Sequence, residues 1–157
     1  MVSTRRDDAD EDGDDDVGLY RAGAFLTDPD FNVPHDLVYL DNGITKVGID
    51  LQWGGAISLI MHQGMNLIDN HDIGRLAQVA FYNDYTGTWD PVQGGEKFNQ
   101  GSPVLDYNIG TNQIYTKTQP RDWITGVLTD TYVEQWVSLE GQSVKVQYKF
   151  THFGTDT

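Results

Sequence analysis

Apolar and polar residues alternate along most of the chain after Leu37, and a period of two is typical of β-strands. The pattern is clearest in Thr131–Leu139 and Val144–Phe150, which are joined by a turn at Glu140-Gly141. No window of eleven or more residues shows a convincing helical period. Further strands are predicted at Thr45–Leu51, Ala56–His62, Met65–Ile68, Ala77–Tyr82, Ile114–Thr118 and Trp123–Leu128. About eight short strands separated by turn signals predict an all-β fold, an antiparallel β-sandwich.

The predicted strand Ala56–His62 alternates without interruption, so its side chains divide cleanly between two faces. Ile57, Leu59 and Met61 fall on one face of this strand, and Ile60 falls on the other. Gln63-Gly64 then supplies a turn.

The chain divides into three segments of different composition. Residues 1–16 carry eight acidic and two basic side chains, a net charge of −6, with almost no large apolar residue. Such a segment cannot offset the entropy of ordering, so we expect a disordered acidic tail. Residues 17–37 contain scattered apolar residues and two prolines and are predicted to form an irregular arm. Residues 38–157 form the β-sandwich domain.

One stretch of the domain, residues 83–112, is rich in glycine and shows little alternation. Long structureless loops are uncommon in compact domains, and disordered segments are poor in aromatic residues. Because the stretch contains Tyr85, Trp89, Phe98 and Tyr107, we expect an ordered loop packed by its own aromatic side chains.

Charge and composition exclude several classes of function. The 157 residues have a formal net charge of −14, which repels nucleic-acid phosphates and anionic lipids. The chain contains no cysteine, which excludes disulfides and thiolate chemistry. No apolar run has the length of a membrane-spanning helix, and the N-terminus has no signal-peptide pattern. A processed extracellular or periplasmic protein would look the same, so the compartment stays open.

A possible calcium ligand set lies in the acidic tail. Asp8, Asp10 and Asp12 are followed by Gly13, as in the first half of a calcium-binding loop. Leu19 occupies the position at which such a loop needs a bidentate glutamate. A solvated acidic tail without metal is therefore the favoured interpretation, and no other cofactor is expected.

The densest polar cluster beside the predicted strands supplies a candidate ligand shell. Its imidazole, carboxylate, guanidinium and amide groups are those that bind sugar hydroxyls, and a nearby loop tryptophan could stack on a sugar ring. The alternative is a capped turn in which Gly74 allows a tight bend. Trp53, Trp123 and Trp136 are expected to be structural. The candidate ligand residues are Asn70, His71, Asp72, Arg75, Gln78 and Trp89.

Two sequence stretches resemble the galactose-mutarotase-like (aldose 1-epimerase-like) family. Val47–Leu59 resembles that family's early strand pair, and Gly74–Gln78 resembles its G-R-x-A-N segment, which lines the sugar site. Asn66–Arg75 and Trp89–Gly95 resemble an uncharacterised bacterial group of the same fold. The resemblance implies that the chain corresponds to the N-terminal half of a β-supersandwich. Val79 stands where epimerases have a sugar-holding arginine, and the matched region contains neither the family's catalytic histidine nor its glutamate.

Three functions are therefore considered. The favoured one is recognition of a sugar or glycan through the polar turn and the loop tryptophan. The second is a structural module that forms homo-oligomers by adding strands at open sheet edges. The third is an epimerase-like enzyme, with His71 beside Asp72 or Asp90 as acid and base, but we expect the chain alone to bind rather than catalyse.

Overall fold

The computed structural model describes residues 35–70, 76–83 and 87–154, and this part of the chain is all β, without a helix. It therefore has no helix that could span a membrane. The strands, numbered in chain order, are β1 (Leu37–Asp41), β2 (Thr45–Asp50), β3 (Ala56–His62), β4 (Met65–Asn66), β5 (Ala80–Asn83), β6 (Thr88–Val92), β7 (Gly95–Glu96), β8 (Gln100–Gly101), β9 (Val104–Ile109), β10 (Gln113–Thr118), β11 (Thr131–Glu140) and β12 (Ser143–His152).

Two four-stranded antiparallel sheets form the sandwich. The first has the order β1-β2-β3-β4 and the second the order β12-β11-β10-β9. Val47, Ile49 and Ile57 of the first sheet pack against Ile114 and Val137 of the second in one buried cluster. Two short hairpins, β5-β6 and β7-β8, complete the described structure. The predicted antiparallel β-sandwich is confirmed.

The strand pair β11-β12 is the longest regular element, and it follows the predicted alternation. The two strands pair over ten positions without a register shift, from Thr131 opposite His152 to Glu140 opposite Ser143. Val133, Gln135 and Val137 are buried, because they point between the sheets.

The uninterrupted alternation predicted for β3 is wrong. Gly48 pairs with Leu59 but Ile49 pairs with Ile57, so Ser58 is an extra residue in a β-bulge. The bulge reverses the phase of the strand, and both Ile57 and Ile60 therefore reach the main core. Leu59 is buried outside that cluster, where it lies close to Gly48.

Two predictions about the second half of the domain also need correction. The stretch 83–112 is not a loop in its described part, because it contains β6, β7, β8 and β9. The aromatic residues Trp89 and Tyr107 lie within these strands. Trp123–Leu128 is not a strand but a turn, in which Asp122 accepts backbone hydrogen bonds from Ile124 and Thr125. Short-range turn hydrogen bonding overrides the β-propensity of this segment.

Several predictions concern residues outside the described part. The acidic tail 1–16 lies there, as does the arm up to residue 34. The arm's described end, His35, lies against Asp50, a fully buried carboxylate that also accepts hydrogen bonds from the backbone of Asp36 and Gln52.

Candidate functional site

An open groove of about 510 Å³ lies beside the β5-β6 hairpin. Its volume falls within the usual range for sites that hold small organic ligands, roughly 300–1,000 Å³. Among the described residues, none of the lining side chains carries a formal charge, and two are tryptophans. The groove is lined by Leu76, Gln78, Ala80, Trp89, Val92 and Trp123.

The two tryptophans reach this groove from neighbouring backbone segments. Trp89 lies on β6, and its carbonyl oxygen accepts a hydrogen bond from the backbone N–H of Trp123 at 3.1 Å. Trp123 packs on a buried cluster that includes Trp53, which gives the groove a firm base. The side chain of Trp89 is 47% exposed, so much of its indole is open to a ligand.

Tyr82 restrains the exposed indole of Trp89. The two residues are opposite each other in the β5-β6 pair, and their rings meet edge to face with centroids 5.2 Å apart. Edge-to-face contacts between aromatic rings are favourable, so the indole is held in place before any ligand arrives.

Gln78 supplies a polar side chain to the described part of the groove. Its Oε1 atom accepts a hydrogen bond from the backbone N–H of Gly94 at 2.6 Å. This contact fixes the orientation of the side-chain amide, a group that can donate and accept hydrogen bonds. The groove therefore combines two aromatic surfaces with one oriented amide.

A buried pair of glutamines holds the backbone beneath the groove. Gln93 and Gln135 are almost fully buried, and Gln93 Nε2 donates to Gln135 Oε1 and to the carbonyl of Gly54, both at 3.0 Å. Gln93 Oε1 accepts from the backbone N–H of Val79 at 3.1 Å, and Gln135 Nε2 donates to the carbonyl of Gly55 at 2.8 Å. We call Gln93 and Gln135 the amide clamp. The amide clamp links the backbone of Val79 to the turn after β2 in the first sheet and to β11 in the second sheet.

The structure brings together only part of the predicted ligand shell. Gln78 and Trp89 line one groove. Asn70 does not line it; this side chain is buried, and its Oδ1 accepts no hydrogen bond from any described residue. The remaining members, His71, Asp72 and Arg75, lie outside the described residues.

Trp123 is the groove residue that sequence reasoning missed. The sequence predicts a structural role for it, as a tryptophan that caps an open end of the sandwich. Its proximity to Trp89 depends on a backbone contact between residues 34 positions apart. The local signal was weak: a tryptophan preceded by an aspartate, which mirrors the Trp89-Asp90 pair.

A second, acidic groove of about 760 Å³ is partly formed by the same two backbone segments. Its lining includes Asp90, Asp122, Asp130 and His152. Trp89 and Asp90 are adjacent on β6, so their side chains point to opposite sides of the strand, Trp89 into the first groove and Asp90 into this one. At the start of the turn, Trp123 and Asp122 likewise line different grooves.

The pKa values of Asp90 and Asp122, two aspartates of the acidic groove, are shifted in opposite directions. Burial, followed by the charge of Asp122, raises the pKa of Asp90. Burial also acts to raise the pKa of Asp122, but hydrogen bonds from Thr125 and Ile124, with the nearby Lys97, bring this pKa below its ordinary value. The carboxyl group of Asp122 therefore ionises at a lower pH than that of Asp90.

No group of three or more histidine, aspartate or glutamate side chains within residues 35–70, 76–83 and 87–154 is arranged to hold a metal ion. The candidate calcium ligands Asp8, Asp10 and Asp12 lie outside these ranges. Calcium binding therefore stays a prediction from the sequence.

The chain matches no protein-family model, no curated protein and no solved structure. The resemblance to galactose-mutarotase-like proteins thus stays a prediction from the sequence.

Proposed function

We propose that this protein is a carbohydrate-recognition protein of galactose-mutarotase-like type and that the groove beside the β5-β6 hairpin is its sugar site. The observation that carries the proposal is the convergence of Trp89, Trp123 and Gln78 on one open groove. In this proposal the chain is a binding protein, with no catalytic step assigned to the groove.

The aromatic part of the groove suits a pyranose ring. One face of a pyranose presents C–H groups, and a flat indole can cover them while the ring hydroxyls stay hydrated. Burying such an apolar patch contributes about 25 cal/mol per Å² of area removed from water. Trp89 is half exposed and braced by Tyr82, so little ordering entropy is lost when a sugar binds.

The side-chain amide of Gln78 would orient the sugar in the groove by hydrogen bonding. The amide of Gln78 is held by Gly94 and lies in the same groove as the indoles, where a sugar hydroxyl could meet it. The described lining is uncharged, and the chain as a whole is strongly acidic. Both facts favour a neutral sugar over a uronic acid or a sugar phosphate.

Calorimetric titration of the full chain with neutral mono- and oligosaccharides tests the proposal. We expect binding in the micromolar to millimolar range for at least one sugar. The change Trp89→Ala removes the exposed stacking surface and should weaken binding about tenfold, equivalent to about 1.4 kcal/mol. About half of Trp89 is buried and its ring packs on Tyr82, so this variant should also unfold at a lower temperature, and affinities are compared at a temperature at which both proteins are folded.

The matched control is Trp136→Phe. Trp136 lies on β11, contacts Tyr115 with ring centroids 5.3 Å apart, and does not line the groove. This variant should keep the wild-type affinity. Absence of binding to every sugar at millimolar concentration would refute the proposal, as would an equal loss of affinity in both variants.

A further inference from the structure

The turn between β1 and β2 contains the one Asn-Gly pair of the sequence, Asn42-Gly43, and both residues are exposed. An asparagine side chain is deamidated when the backbone nitrogen of the following residue attacks its carbonyl carbon, and a side chain on that following residue obstructs the attack. A Cβ atom placed on Gly43 would meet no group of the described residues within 4 Å, so the turn has room for the reaction and for water. The nucleophile of such an attack is therefore unhindered.

Two backbone amides already polarise the side-chain carbonyl group of Asn42. Its Oδ1 atom accepts hydrogen bonds from the N–H groups of Ile44 at 3.0 Å and Thr45 at 2.9 Å. Attack on Cγ would turn Oδ1 into an oxyanion, and donors that are in place beforehand stabilise a developing negative charge. The two amides thus favour the addition step.

A carboxylate contacts the nucleophilic amide. The backbone N–H of Gly43 donates a hydrogen bond to Oδ1 of Asp41 at 2.9 Å. The attack requires this proton to be removed, and a base within hydrogen-bond distance is placed to accept it. The turn therefore combines a base, an unhindered nucleophile and two oxyanion donors within residues 41–45.

We propose that Asn42 is a site of self-catalysed deamidation in which Asp41 removes the amide proton of Gly43. The nitrogen of Gly43 forms a bond to Cγ of Asn42, the Cγ–Nδ2 bond breaks, and Nδ2 leaves as ammonia together with the proton. Water then opens the cyclic imide at either of its carbonyl groups and yields aspartate or isoaspartate. Water is the co-reactant, and the electron count of every atom is unchanged.

The reaction removes a contact between the two sheets. Nδ2 of Asn42 donates a hydrogen bond to the carbonyl of Gly141 at 2.8 Å, which links the β1-β2 turn of the first sheet to the β11-β12 turn of the second. The product carries a carboxylate, which cannot donate to that carbonyl and which lies next to Asp41 in the chain. Deamidation therefore breaks this link between the two turns.

Peptide mapping by mass spectrometry tests the proposal on the full chain after several weeks in water enriched in heavy oxygen. Only side chains that are deamidated during the incubation acquire the label. Asn42 should be labelled about tenfold more than Asn108, which is also exposed but precedes the bulky Ile109. In the variant Asp41→Asn the new side chain can accept the hydrogen bond from Gly43 but not its proton, so Asn42 should be deamidated about tenfold more slowly.

The pH dependence keeps the proposal testable if Asp41→Asn alters the turn. Carboxylates in general are ionised at neutral and alkaline pH, so a rate that depends on Asp41 as the base should be nearly constant between about pH 7 and about pH 9. A rate proportional to the hydroxide concentration overturns the proposal. So does an unchanged rate in Asp41→Asn, or labelling of Asn42 that does not exceed the labelling of Asn108.

Discussion

Replacement of Gln93 by leucine tests whether the amide clamp stabilises the backbone beneath the groove. Leucine has a similar size but cannot form hydrogen bonds. It would leave the backbone N–H of Val79 and the Oε1 atom of Gln135 without their partner. The carbonyl of Gly54 would keep its hydrogen bond from Thr118 Oγ1 at 2.7 Å, so it adds little to the loss.

The expected loss of stability follows from these two orphaned groups. Each buried polar group left without a partner costs about 1–3 kcal/mol. Val79 is only partly buried and can regain water, so we expect a total near 3 kcal/mol rather than the upper limit. For a domain of this size, 1 kcal/mol lowers the unfolding midpoint by about 2–4 °C, which gives a decrease of about 6–12 °C.

A double-mutant cycle with Gln135→Leu separates hydrogen bonding from packing. Urea unfolding, followed by the fluorescence of the four tryptophans, of which Trp53 is buried, would measure each free energy of unfolding. An unchanged m-value checks that the variants unfold alike. The double variant should lose about 1 kcal/mol less stability than the sum of the two single losses. Each single variant leaves one glutamine amide without the other as its hydrogen-bond partner, whereas the double variant contains neither amide. Additivity within about 0.5 kcal/mol would refute the clamp.

Two further predictions concern backbone strain and pH. In urea unfolding, Gly54→Ala should lower the free energy of unfolding by about 3 kcal/mol or more, because Gly54 has φ = +60° and a Cβ atom there would collide with the carbonyl of Gln93. The control Gly43→Ala changes a glycine with φ = +79° that has open space around it, and should lower the free energy of unfolding by only about 1–2 kcal/mol. Thr125→Val removes a 2.7 Å hydrogen bond to Asp122. Since the pKa of Asp122 is lowered in the folded protein, this variant should be less stable than wild type near neutral pH. The difference should begin to shrink below about pH 4, the ordinary range of an aspartate, and disappear once the pH has fallen through the lower pKa of Asp122 in the folded protein; a difference that persists below that pKa would contradict the prediction.

The sandwich could be predicted because its signal is local. In β12, Val144, Val146, Tyr148 and Phe150 alternate with polar residues, and its pairing with β11 runs over ten positions without a register shift. The bulge at Ser58 could not be predicted in the same way. It depends on the register against β2, and Ser58, Leu59 and Ile60 are all compatible with either phase of the strand.

The groove was only partly predictable for a related reason. Gln78 and Trp89 were identified from their residue types beside predicted strands, and the structure places both in one groove. Trp123 joins them through a backbone hydrogen bond to Trp89, a contact that no local pattern encodes. The amide clamp was likewise missed, because Gln93 and Gln135 look like ordinary surface residues until both sheets enclose them.

The most direct test of the sugar site follows the four tryptophan indole N–H signals by NMR while a neutral oligosaccharide is added. The account predicts that the signals of Trp89 and Trp123, assigned by single Trp→Phe variants, shift with a common dissociation constant. The signals of the buried Trp53 and of Trp136 on β11 should stay in place. No shift at any sugar concentration, or shifts confined to Trp136, would contradict the assignment of this groove as the sugar site.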